Sequence, residues 1–159
     1  MSKFQISRYL TKSRFKMALE CPTKLYYVGK ADYADTNNGN EFLAMLADGG
    51  FQVGELAKLK YPGGVEIKAK QVAQAVAETT ELLRQDTITL FEPAIVHEGF
   101  LVRVDVLVKR GQVFEVIEVK AKSYSGDPAS LSGKRTPIAS DILPYVQDVA
   151  FQKYVIQSA

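Results

Sequence analysis

Hydrophobic and polar positions alternate most regularly between residues 86 and 122. ITLFEPAIVH (88–97), FLVRVDVLVKR (100–110) and VFEVIEVKAK (113–122) are rich in β-branched and aromatic residues, the composition of strands. The breaks between them are two residues long, Glu98-Gly99 and Gly111-Gln112. Gly at the first central position suits a type II′ hairpin. The pattern predicts a three-stranded antiparallel meander over 86–122. Val102, Val104, Val106 and Val108 should form one apolar face, with Asp105 on the other.

Helical spacing takes over elsewhere. Residues 7–20 read as a helix with Tyr9, Leu10, Phe15 and Leu19 on or near one face, interrupted by Cys21-Pro22; Thr23 to Tyr27 continue as a short helix or turn. Residues 31–40 form a polar loop with Asn37-Asn38-Gly39-Asn40. A helix over about 41–47 should end at Asp48-Gly49-Gly50, and a second piece, 51–60, at Pro62-Gly63-Gly64. Val72, Val76 and Leu83 mark a helix over about 69–84. The Ser/Gly/Pro-rich stretch 123–140 is a long loop, with Lys134-Arg135 able to touch phosphate. Ser140 or Asp141 should cap a last helix carrying Pro144 in its first turn, with Val146, Val149, Ala150 and Phe151, and running to the chain end.

The turns fix a register with chemical consequences. If Gly111-Gln112 is the loop, Arg110 pairs with Val113, Asp105 lies opposite Glu118, and Arg103 lies opposite Lys120. If Glu98-Gly99 is the second loop, Glu92 lies opposite Asp105. Side chains facing each other this way stand about 4.5–5.5 Å apart at Cβ. A row of Glu92, Asp105 and Glu118 inside strands is costly without a compensating charge. A divalent metal supplies it, and two carboxylates, a lysine and a metal equip a phosphodiester-cleaving site. A bulge in either loop would break the row, and Pro93 marks an edge or irregularity. Two plainer readings stay open: Asp105 paired with Arg103 or a lysine, and Glu118 and Lys120 as surface charge on a half-solvated sheet.

At 159 residues, with 47% hydrophobic and 24% charged residues, the chain fits one globular domain spanning 1–159. It lacks a run that could span a bilayer, so no membrane partner is expected. A single cysteine, Cys21, fits a reducing cytoplasm and excludes an internal disulfide framework. Residues 1–30 hold seven basic side chains against Glu20, a net charge of +6 that leaves the remainder at −4. Among them Lys12, Arg14 and Lys16 offer a basic helix face for a nucleic-acid backbone; a solvated helix face is the alternative.

Asp105, the hairpin, Glu118-Val119-Lys120, a polar loop and a helix with a glutamine together resemble the PD-(D/E)XK nuclease superfamily. LTKSRFKMALECPTKLYY at 10–27 and Gln152-Lys153-Tyr154 are similar to the first and last motifs of its RecB-like branch, which includes CRISPR-associated exonucleases. The resemblance implies an α+β, restriction-endonuclease-like fold: a central antiparallel-meander mixed sheet flanked by helices. It implies Mg²⁺- or Mn²⁺-dependent cleavage of DNA, at duplex ends or on single strands. Asp105 and Glu118 would be metal ligands, with the main-chain carbonyl of Val119. Lys120 would orient water or stabilise charge on the phosphate, and Gln152 would position substrate or the lysine. Glu55 is the candidate helical ligand and Glu92 a further one. An iron–sulfur cluster is not expected, since four thiolates are needed and only Cys21 is present. A sheet of this kind usually gains another strand after its last helix, so the chain is expected to be the N-terminal piece of a longer protein or an unusually short member of its kind, with a C-terminal domain or partner protein as a further expected partner. The alternatives are a catalytically inactive nucleic-acid-binding or protein-interaction module on the same fold, and cleavage of RNA.

Overall fold

The computed structural model describes residues 9–33, 40–123, 127, 131–133 and 137–159. They form an α+β fold with five helices and two mixed sheets among these residues. The strands are β1 (Leu10–Thr11), β2 (Val65–Glu66), β3 (Thr87–Phe91), β4 (Ala94–His97), β5 (Phe100–Arg103), β6 (Val106–Arg110) and β7 (Val113–Ile117). The helices are α1 (Lys12–Glu20), α2 (Pro22–Tyr27), α3 (Glu41–Lys58), α4 (Val72–Leu82) and α5 (Leu143–Ser158). One sheet has the order β1-β5-β4, the other β2-β3-β6-β7. β1 and β2 join by parallel pairing, and the remaining pairs are antiparallel.

Both turns are two residues long. Arg110 pairs with Val113 and His97 with Phe100. Gly111 has φ 59° and Gln112 does not have positive φ, as a type II′ turn requires; Glu98 and Gly99 both do, at 43° and 85°.

The expected continuous strands are broken, however. The first two kink together, between Phe91 and Ala94 on one and between Arg103 and Val106 on the other. Because both chains break at the same level, the register survives: Phe91 pairs with Val106, and Ala94 with Arg103. Glu92 N–H donates to Asp105 O (3.3 Å), and Val104 N–H to Pro93 O (3.2 Å). In place of the single expected meander, the kink leaves these strands in two separate mixed sheets. It also divides the four valines, which do not share a face. Val102 and Val104 pack with Leu107, Phe151 and Val155, while Val106 and Val108 pack with Phe91. Past Asp105 the odd positions, not the even ones, face α5.

Four further expectations change. Residues 10–11 are extended, not helical, and Thr11 caps α1, its Oγ1 accepting from Arg14 N–H (3.4 Å). The helical start at residues 7–8 lies outside the described residues, as do Asn37, Asn38, Gly39, Lys134 and Arg135. α3 runs unbroken through Gly49 and Gly50. A helical glycine costs about 1 kcal/mol but does not stop a helix unless it turns left-handed, and neither of these does. α5 starts without a side-chain cap, because its N-cap position is Ile142 and not Ser140 or Asp141; Asp141 instead accepts from Lys122 (2.7 Å). Finally, β7 stops at Ile117, so Glu118, Val119 and Lys120 lie just past its end. Its neighbour β6 begins only at Val106, and Arg103 turns away to the Ala69 carbonyl, so it does not lie against Lys120.

α5 packs on one side of both sheets through Phe151 and Val155, and Phe15 of α1 stacks on Phe151 (4.7 Å between centroids). α4 covers the other side of the β1-β5-β4 sheet through Ala75. Thr79 anchors it, accepting from Ala94 N–H (3.0 Å).

Candidate active site

The acidic residues gather where the two sheets part. A cavity of about 340 Å³ lies between α3 and this corner, lined by Glu55 and Lys58 on one side and Glu66, Glu92, Asp105 and Val119 on the other. The kink delivers Glu92 and Asp105 to it. Glu92 has φ 54°, a left-handed conformation that is strained for a residue with a Cβ and that recurs at functional sites. Lys58 holds Glu55 and Glu66 together, at 2.6 Å from each. Gly50 and Gly54 complete the α3 wall.

Next to the cavity is a second cluster centred on Glu118, whose side chain is only 4% exposed. Lys12 Nζ reaches both of its oxygens, at 2.8 and 2.9 Å. Lys120 donates to Oε1, and Gln152 Nε2 donates to Oε2 at 2.7 Å. Lys120 also lies 3.5 Å from Asp148 Oδ2, which accepts from Lys16 at 3.4 Å. Asp148 and Gln152 are 1% and 0% exposed, and Asp148 Oδ1 and Gln152 Oε1 accept no hydrogen bond from the described residues. The clusters meet at Val119, whose N–H donates to Asp105 Oδ2 (2.6 Å).

Electrostatics separates the two. Burial raises the Asp105 pKa, and the Glu118 charge adds to the rise against the Val119 hydrogen bond. Burial also raises Glu92, and Asp105 adds to it. These two carboxyl groups therefore carry negative charge that their surroundings do not fully offset. Glu118 is the opposite case. Burial pushes it up, but the hydrogen bonds from Lys12 and Lys120 outweigh that and its pKa is lowered. Lys120 is raised: burial works against its charge, and Glu118 more than restores it.

The expected site residues thus divide into two groups. Asp105, Glu92, Glu55 and Val119 line one cavity; Glu118, Lys120, Gln152 and Lys12 form one hydrogen-bonded cluster beside it. Glu118 and Asp105 do not turn their oxygens on a common point, since Lys12 intervenes at Glu118. Among the described residues, no three acidic, histidine or cysteine side chains already enclose a position for an ion. The basic face of α1 also differs from the expectation. Lys12 and Lys16 reach inward to Glu118 and Asp148, and Arg14 donates to the Tyr9 carbonyl (2.7 Å). The stems of Lys12 and Lys16 carry their charges to the buried carboxylates of Glu118 and Asp148.

Sequence reasoning missed Glu66, Lys58 and Asp148. Glu66 sits in a two-residue strand with no periodicity to read. Asp148 left a signal: it is one helical turn before Gln152, so the two share a face.

Asp105 and Glu92 offer carboxylate oxygens, the donor type a hard divalent cation takes, and their burial and mutual repulsion leave negative charge that a cation would offset. No helix among the described residues is long and apolar enough to cross a membrane. No protein-family model, curated protein or solved structure matches the chain.

Proposed function

We propose that this protein is a Mg²⁺- or Mn²⁺-dependent DNase with a restriction-endonuclease-like PD-(D/E)XK fold of the RecB-like type, acting on DNA ends or single strands. The observation that carries the reading is the meeting of Asp105 with Glu118-Val119-Lys120 at the sheet corner, tied by the Val119 N–H to Asp105 Oδ2 bond. When bound, the cation offsets phosphate charge and makes its coordinated water more acidic. Asp105 and Glu92 would hold it, with Glu118, the Val119 carbonyl and Glu55 as further oxygen donors. Lys120, kept protonated by Glu118, is placed to offset charge developing on a phosphate. Gln152 fixes the Glu118 carboxylate and with it Lys120. The exposed rings of Tyr26, Tyr27 and Tyr33, with Lys30 over Tyr26, suit stacked bases of a single strand.

The test uses labelled single- and double-stranded DNA, and RNA, with Mg²⁺, Mn²⁺ or EDTA, for the wild type, Asp105→Ala and Lys120→Ala. The expected result is metal-dependent DNA cleavage that falls by about 10²–10³-fold in each variant. Binding without cleavage, unchanged in both variants, would show a binding module on this fold instead. Cleavage of RNA alone would replace the substrate.

A further inference from the structure

Glu118 is saturated by this chain's own donors. A carboxylate has about four lone-pair positions. Here Lys12 takes one on each oxygen, Lys120 a second on Oε1, and Gln152 a second on Oε2. A cation cannot reach a Glu118 oxygen unless one of these donors leaves. Gln152 is fully buried and cannot retreat. Lys120 is two residues along the chain and is also held by Asp148. Lys12 alone contributes two bonds, and it starts at the first turn of α1 with its side chain 24% exposed. Lys120 is more exposed, at 34%, but it is tied to two carboxylates, whereas the Lys12 ammonium is bonded among the described residues to Glu118 alone, so its flexible stem can let go without giving up a second partner.

We infer that Lys12 is a displaceable internal counter-ion: it neutralises Glu118 until a divalent cation takes its place, and so sets how tightly that cation binds. The inference rests on the metal-dependent reading above. It assigns Lys12 to control of the metal site, not to a phosphate-binding helix face. Removing the ammonium removes a competitor, so metal binding should tighten. Replacing it with a guanidinium installs a stronger one, since Arg grips a carboxylate with two parallel bonds, so metal binding should weaken. General damage to the fold weakens binding in both variants and cannot give this opposed pattern.

The experiment is calorimetric titration of the full chain with MnCl₂, without DNA, for the wild type, Lys12→Met, Lys12→Arg and Asp105→Asn. The expected result is a Kd about tenfold lower in Lys12→Met, the worth of roughly one charge-assisted hydrogen bond. Kd should rise in Lys12→Arg, and binding should be lost in Asp105→Asn. Wild-type binding that is equal or weaker in Lys12→Met overturns the counter-ion role and leaves the metal reading standing. Absence of Mn²⁺ binding in both wild type and Lys12→Met overturns the metal reading, and the counter-ion role falls with it.

Discussion

Glu92 combines two penalties in one residue. Its left-handed backbone costs a residue with a Cβ about 1–2 kcal/mol, and its carboxylate faces Asp105 in a half-buried corner. Stability and function should therefore pull apart here. Glu92→Gly should stabilise the protein in EDTA by about 1 kcal/mol, seen in urea unfolding, while weakening Mn²⁺ binding. Loss of stability would mean the left-handed turn is not strained. A pH dependence follows from the same corner. Asp105 and Glu92 have raised pKa values in the folded protein, so the folded state binds more protons than the unfolded one between the ordinary carboxylate values, 3.8 and 4.5, and the raised ones. In EDTA, this pair's contribution to stability should increase as pH falls through that window and be least above it. Glu118, whose pKa is lowered, acts in the opposite sense, and its contribution is lost as pH falls below 4.5. Comparing thermal unfolding of Asp105→Asn with wild type across this range separates the pair: the variant should gain most at neutral pH. Asp105, Glu118 and Lys120 were legible as a group because turn chemistry fixed their register. The ammonium on Glu118 was not, since no local pattern says where a lysine stem from another helix will end.

Among the elements, α3 departs furthest from what its sequence implies. Asp48-Gly49-Gly50 reads as a stop, yet both glycines are helical, with open space where a Cβ would stand. Gly49→Ala and Gly50→Ala should each stabilise the protein by about 0.5–1 kcal/mol, measured as a higher urea midpoint at unchanged slope. A fall would mean the helix breaks there after all. The hairpin turns were readable because Gly111 and Glu98-Gly99 carry the backbone needs of their turn types. The kink between sheets was only hinted at by Pro93, because its cause is two strands bending at one level, a property of the pair. β1 and β2 were invisible, being two residues each and defined by pairing alone.

At the scale of the molecule, α1 and α5 meet the sheet corner through one aromatic joint, Phe15 on Phe151, against Val102, Val104 and Leu107. Phe151→Ala should cost about 3–5 kcal/mol, and should also disturb the Glu118 cluster, because Lys12 and Gln152 ride on those helices. Its signature is a lowered Tm together with altered Mn²⁺ affinity; an unchanged Tm would place the joint outside the core. Mn²⁺ at a hundred times its Kd should add about 2.7 kcal/mol to wild-type stability and none to Asp105→Ala.

Lys12 and Glu118 are 106 residues apart, and Gln152 lies a further 34 beyond, yet all three converge on one carboxylate. A growing polypeptide leaving the ribosome therefore cannot complete this site until α5 has emerged. Until then the Glu118 charge lacks its buried amide donor. Nascent or proteolytically shortened chains that lack α5 should therefore hold Glu118 without its Gln152 donor, and the cluster closes only when the last helix docks.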